Sequence, residues 1–184
     1  MKSLLPAALA ALLMTPVYAQ DATDFSGAYV GLSVNRTDSS SFDSASDIDA
    51  SSNGAALTAG YLFDMGGVLL GGEISYRRNS YSGTERTTAT AISGTATSTA
   101  FGLRLGYSVG RTMPYVTARI GRGTDDFGTG SLDFDTREFA IGAEYALTEN
   151  VFTNLSFERV IFDYRDTDLN LRSNAVSLGI NYRF

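Results

Sequence analysis

The sequence predicts an all-β fold, an eight-stranded antiparallel up-and-down transmembrane β-barrel. Three observations carry that reading. Apolar residues recur at every second position rather than at helical spacing, which is the mark of a sheet with two unlike faces. Eight such segments are joined by connections that alternate between tight turns and long polar stretches. The bulky apolar face is set against a lean face of glycine, small residues and charges.

The elements follow in order. Met1-Lys2-Ser3 is short and positive, Leu4 to Leu13 is apolar, and Val17-Tyr18-Ala19 ends on a small residue. This is the pattern of an export signal, cleaved between Ala19 and Gln20, so that residues 1–19 are the signal peptide and 20–184 the barrel domain. A membrane-spanning helix is a poor reading of the same stretch, because Pro6 interrupts a run already short of the roughly 20 residues needed. Cleavage removes Lys2 and leaves 13 basic residues, all arginine, against 20 acidic ones, a net charge of −7.

The first alternating segment, Gly27 to Asn35, sets Ala28, Val30, Leu32 and Val34 against Tyr29, Gly31 and Ser33. Gly54 to Phe63 repeats it and runs into the turn Asp64-Met65-Gly66-Gly67, rich in residues that tolerate a positive φ. Val68 to Arg77 comes next. Ala96 to Val109 has the clearest pattern, with Phe101, Leu103, Leu105 and Tyr107 against Gly102, Arg104 and Gly106. Gly110 to Met113 turns the chain into Pro114 to Gly123. Arg137 to Leu147, a turn at Thr148 to Asn150, Val151 to Phe162 and Asn174 to Phe184 complete the set. The connections 36–53, 78–95, 124–136 and 163–173 read as long polar loops, and the Ser- and Asp-rich 36–53 and Ser-, Thr- and Gly-rich 78–95 allow disorder or extended hairpins above a membrane.

Glycine suits a crowded, strongly curved interior, so the lean face is expected to point inward and the bulky face toward lipid. Tyr61, Tyr107, Tyr145 and Tyr182 lie beside the tight turns and are expected to form an aromatic girdle. A soluble, lipocalin-like binding barrel is the competing architecture, since alternation alone fits both. A heat-modifiability gel separates them: the folded membrane barrel shifts on boiling, and an unshifted, soluble protein would favour the cup.

Inside, Glu73, Arg104, Arg119 and Glu144 are expected at nearby heights, with Glu158 as a further acid. Arg104 and Arg119 are symmetric about a turn centred between Arg111 and Thr112 and are expected as direct cross-strand neighbours. Paired buried charges act as a structural plug, because unpaired ones are costly and eight strands leave a lumen that side chains fill. A gate or narrow porin-like channel for small solutes or ions is the alternative.

Histidine and cysteine are absent. A Ser–His or Cys–His nucleophile is therefore impossible, and catalysis is not expected. No cofactor or metal site is implied. The acids Asp125-Asp126, Asp133 with Asp135, and Asp166 with Asp168 read as solvated loop residues rather than a catalytic pair or cation site. An acidic chain is a poor nucleic-acid ligand.

The stretches Gly27-Ala28-Tyr29-Val30-Gly31-Leu32, Ala59-Gly60-Tyr61, Pro114-Tyr115-Val116, Ile141-Gly142-Ala143-Glu144-Tyr145 and Leu178-Gly179-Ile180-Asn181-Tyr182-Arg183-Phe184, in this order and spacing, resemble the OmpA-like, or porin-family, outer-membrane barrels. The resemblance implies a monomer in the Gram-negative outer membrane, meeting lipid and lipopolysaccharide. Its long loops would be open to host or surface ligands, and periplasmic chaperones would deliver it. It also implies that Tyr182 and Phe184 serve as the terminal aromatic signal read by the barrel-assembly machinery. Arg159 departs from the aromatic that the family commonly carries at that height. The sequence ends at Phe184, so the peptidoglycan-anchoring role of longer OmpA proteins is not expected.

Overall fold

A computed structural model describes residues 23–40, 48–85, 90–165 and 170–184. The expected signal segment and its cleavage site at Ala19 and Gln20 lie outside the described residues, as do Asp166 and Asp168. Eight strands are present: β1 (Gly27–Ser40), β2 (Ile48–Asp64), β3 (Val68–Glu85), β4 (Thr90–Tyr107), β5 (Thr112–Asp126), β6 (Ser131–Ala146), β7 (Val151–Tyr164) and β8 (Asn170–Arg183). Each pairs antiparallel with its neighbours in sequence, and β1 pairs with β8 to close the barrel.

The strands outrun the alternation that predicts them. The β1–β2 ladder continues to Ser40↔Asp49, the β3–β4 ladder to Glu85↔Thr90 and the β7–β8 ladder to Asp163↔Asn170. Most of the residues expected in long loops are therefore paired hairpin arms. The physical reason is that the outer face of these arms has left the apolar belt, so the contrast between a bulky and a lean face ends before the ladder does. They need no apolar alternation, and Ser, Thr and Gly satisfy the backbone ladder without it. The β5–β6 connection is a four-residue turn, in which the Phe127 N–H donates to the Gly130 carbonyl at 3.1 Å and Asp126 Oδ1 accepts from the Gly128 N–H at 2.8 Å.

The opposite rim is built from tight turns. Asp64 Oδ1 accepts from the Gly67 N–H at 2.7 Å, while Gly66 and Gly67 take φ of 82° and 91°, values that suit glycine. Between β4 and β5, Val109 bridges Thr112 around Gly110 and Arg111. This turn is centred one residue earlier than the sequence suggests. Arg104 therefore pairs with Thr117, and Arg119 pairs with Gly102. The expected direct pairing of Arg104 with Arg119 is thereby corrected. A two-residue slip keeps every side chain on its face, so both arginines still point inward.

The bulky residues form the outer wall. Phe101, Leu103 and Ile120 are 60 %, 60 % and 68 % exposed, within a band that also carries Val30, Leu32, Leu57, Phe139, Ile141, Leu178 and Ile180. A continuous apolar belt of this kind far exceeds the patches that water-soluble monomers leave open, and it suits a hydrocarbon surround. Tyr61, Tyr107, Tyr145 and Tyr182 stand exposed at its turn-side edge. At the hairpin-side edge β7 runs straight through Arg159, which pairs with Phe139 and Asn174 and points outward.

Candidate functional site

The lumen is filled in two layers. At the turn rim Phe25, Tyr29, Leu62, Leu69, Met113, Tyr115, Ala146 and Phe152 pack into a buried apolar cluster. Phe25 precedes β1, folds under the barrel mouth, and stacks its ring 5.2 Å from that of Phe152. Arg183 donates from Nη1 to the Phe25 carbonyl, which ties this segment to the closing strand.

Above this layer lies a continuous ion network. Glu73 accepts from the Tyr29 hydroxyl at 2.6 Å and from Arg119 Nε at 2.6 Å, and Arg104 Nε lies 2.8 Å from its other side as an ion-pair contact. Glu144 accepts from Arg104 Nη1 at 3.2 Å, Arg183 Nη2 at 2.5 Å and Asn181 Nδ2 at 3.0 Å. Arg119 Nη1 reaches Glu138 at 3.3 Å. Arg77 Nη2 lies 3.7 Å from Glu138 and 2.5 Å from Glu158, which also accepts from Ser156 Oγ at 3.1 Å. Four glutamates thus meet four arginines, and the network is neutral as a whole. Burial of such charges is tolerable only when each is paired and hydrogen-bonded.

Aromatic rings complete the packing. The Arg104 guanidinium sits 4.3 Å from the centre of the Tyr115 ring and 5.3 Å from that of Tyr29. Arg183 lies 4.7 Å from the Phe152 ring centre. A planar guanidinium forks to carboxylates through its edge while its face stacks on a ring, a combination lysine does not supply. The two tyrosine rings fit because glycine faces them. A Cβ at Gly60 would stand 2.7 Å from the Tyr29 ring, and one at Gly142 would stand 2.7 Å from the Tyr115 ring and 2.6 Å from the Leu155 carbonyl. Gly142→Ala is therefore expected to lower the unfolding free energy by about 1–3 kcal/mol. Denaturant titration in lipid vesicles reads this, and an unchanged midpoint would mean the Tyr115 ring yields freely.

The structure brings Glu73, Arg104, Arg119, Glu144 and Glu158 into this one network. Arg77, Glu138 and Arg183 were not singled out in the sequence, nor were Tyr29 and Asn181. The signal for the charged three was present: each continues the inward parity of its strand, Arg77 four residues beyond Glu73 and Glu138 six before Glu144. The space left at mid-lumen is a cavity of about 30 Å3 lined by Ser33, Thr58, Ser75, Arg104, Arg119, Asn154 and Ser177, among others. That is room for about two or three water molecules.

The acids expected in solvated loops divide. Asp135 is an exposed partner of Arg122 and Arg165, at 3.3 Å and 2.7 Å. Asp125 is instead buried and faces the lumen, which corrects its reading as a solvated loop acid. The inward parity of β5 runs Met113, Tyr115, Thr117, Arg119 and on to Asp125, and the strand simply continues farther than its alternation. Among the described residues no cluster of three acids could hold a metal ion. Tyr182 and Phe184 both point outward with ring centres 5.2 Å apart, and the Phe184 N–H donates to the Ala28 carbonyl at 3.1 Å.

Comparison with known proteins agrees with this architecture. The family model described as outer membrane protein beta-barrel domain matches residues 7–184. No curated protein matches the sequence. Among solved structures, Neisserial surface protein A is 18 % identical, with a TM-score of 0.64, covering 86 % of this chain and 98 % of its own. Ail, the attachment invasion locus protein of Yersinia pestis, is 16 % identical, with a TM-score of 0.56, covering 87 % of this chain and 100 % of its own. A second Ail structure, in complex with the heparin analogue sucrose octasulfate, is 16 % identical, covers 86 % of this chain and 99 % of its own, and has a TM-score of 0.50. At such identities the likeness is one of fold.

Proposed function

Because this chain belongs to the outer membrane protein beta-barrel domain family, we propose that it is a closed, non-catalytic surface barrel whose lumen is plugged and whose extracellular hairpins serve a structural or surface-interaction role. The observation that carries this reading is the neutral network of four glutamates and four arginines, each paired with an opposite charge, which leaves about 30 Å3 at mid-lumen. A hydrated ion needs a continuous water path, and a plug of paired side chains offers none. In planar bilayers the wild-type protein is expected to show no steady open level. A steady conductance that changes in Arg104→Ala would overturn the plug and establish the narrow channel in its place.

The lack of histidine and cysteine supports a non-catalytic role. Unaltered lipid A in a deletion strain is the expected result, and a modified profile would reverse it. The outer wall supports contact with lipopolysaccharide. Arg36, Arg78, Arg159 and Arg172 point outward above the apolar belt, at the level where anionic head groups lie. The printed name of Ail speaks of attachment and invasion, and its complex is with a polyanion. An adhesive role for the present hairpins is the corresponding reading here, tested by hairpin deletions in cell-binding assays. A polyanion is a less fitting ligand for this chain, since Arg122, Arg137 and Arg165 at the rim are already engaged by Asp135 and Asp163.

A further inference from the structure

Above the ion network the lumen widens into a cavity of about 510 Å3 that opens toward the hairpin rim. Small-molecule pockets typically span about 300–1,000 Å3 and combine apolar walls with a few polar groups. Arg77 and Glu138 form the floor here. The wall is aromatic: the Phe134 ring centre lies 5.3 Å from Phe162 and 5.6 Å from Tyr164. Phe134 is covered by the other two rings, while Phe162 and Tyr164 are only half-buried and keep surface open to the cavity.

The electrostatics of the cavity are one-sided. The network below is neutral, four acids against four bases, so Asp125 is the inward acid left over among the described side chains. It is 7 % exposed. Its Oδ2 accepts from the Tyr164 hydroxyl at 3.0 Å and the Tyr81 hydroxyl also lies beside the carboxylate, while Oδ1 is buried with no donor in good hydrogen-bond geometry. Among the described residues the inward cation of the cavity is Arg77, held by Glu158 at 2.5 Å, while Arg172 borders it from the outward face of β8, and neither forms an ion pair with Asp125. The Tyr81 and Tyr164 hydroxyls are held well above the ordinary phenol range, first by burial and then by the Asp125 charge beside them. A buried carboxylate oxygen with no donor is costly, and a ligand N–H removes that cost.

We propose that this mouth cavity binds a small amphiphilic organic cation, a primary ammonium on an apolar or aromatic body, with the ammonium donating to Asp125 Oδ1 and the body lying against Phe162 and Tyr164. An ammonium beside aromatic faces and one carboxylate satisfies both features of the site at once. A bare metal ion satisfies neither the aromatic wall nor the need for several oxygen ligands.

The test uses the full chain refolded in phosphatidylcholine nanodiscs, with empty nanodiscs as the blank and a heat-modifiability gel as the folding check. The probes are dansylcadaverine, an aromatic primary amine, and its uncharged N-acetyl derivative, titrated by fluorescence. Saturable binding of the amine is expected, about tenfold tighter than its N-acetyl form. Asp125→Asn should erase that tenfold preference and leave the N-acetyl affinity unchanged, and Phe162→Ala should weaken both probes. Equal affinities for the two probes in the wild type, an unchanged preference in Asp125→Asn, or no saturable binding above empty nanodiscs would each overturn the site. Should Asp125→Asn fail the gel, the wild-type ratio alone decides. A barrel that conducts yet prefers the amine keeps this site and loses the plug.

Discussion

Glu73→Ala is expected to lower the unfolding free energy by about 3–5 kcal/mol, because one change strips a buried partner from two arginines. Arg119 loses a 2.6 Å hydrogen bond, Arg104 a 2.8 Å ion-pair contact and the Tyr29 hydroxyl its acceptor. Arg119 keeps Glu138 at 3.3 Å and Arg104 keeps Glu144 at 3.2 Å, but neither remaining acid is free to take up the surplus charge. The control is a pair of similar chemistry in solvent. Arg137 reaches Asp163 at 2.5 Å with side chains 62 % and 31 % exposed, so Asp163→Ala should cost about 0–1 kcal/mol. Reversible denaturant unfolding in lipid vesicles compares the two. Equal small losses would show that water reaches the network and that the lumen is wet rather than plugged.

The second large effect is on the outer wall. Leu103→Arg puts a charge at the middle of the apolar belt, on a side chain 60 % exposed and flanked by Gly72 and Ala118 on the neighbouring strands. A cost of about 2–4 kcal/mol is expected at the bilayer midplane, falling to about 0–1 near the interface. Thr97→Arg, three inward-outward repeats higher on the same strand, is the interface control. In a soluble barrel the same Leu103→Arg change would be neutral or stabilising, so the sign of the effect tests which solvent the wall faces. A gain in stability, or equal losses at both positions, would contradict the lipid-facing assignment.

The parts of the molecule legible in its sequence are those where the surroundings differ across the sheet. From Val68 to Arg77 or Phe101 to Tyr107 one face meets hydrocarbon and the other a packed lumen, and the residues alternate accordingly. From Arg36 upward the outer face has left the hydrocarbon, so the Ser, Thr and Gly of the arms carry no such period although the ladder persists. Register was within reach to the nearest face but not to the residue. The turn after Tyr107 could be centred on several bonds, and the choice fell to the Gly110 conformation, with φ of 58°. Inward parity located Glu73, Arg104 and Glu144. It did not say that Arg183 would reach Glu144, because that contact joins the last strand to the sixth across the lumen. Asp125 escaped for the same reason as the arms did: nothing periodic marks where the wall of the lumen ends and free loop begins.

The pairing of β1 with β8 bears on how the chain arrives at this state. Tyr29↔Arg183 and Ser39↔Ser173 join residues more than a hundred positions apart, the most non-local register in the molecule. Until the eighth strand is in place, the first seven form a curved sheet with two open edges, each a template for pairing with another chain. Along the way Glu144 lacks Arg183 and the Phe25 segment lacks its tether until the seam shuts. Synthesis order therefore confers no head start. High contact order of this kind makes for slow, late and cooperative closure, and it places the aggregation hazard in the interval before the final strand docks.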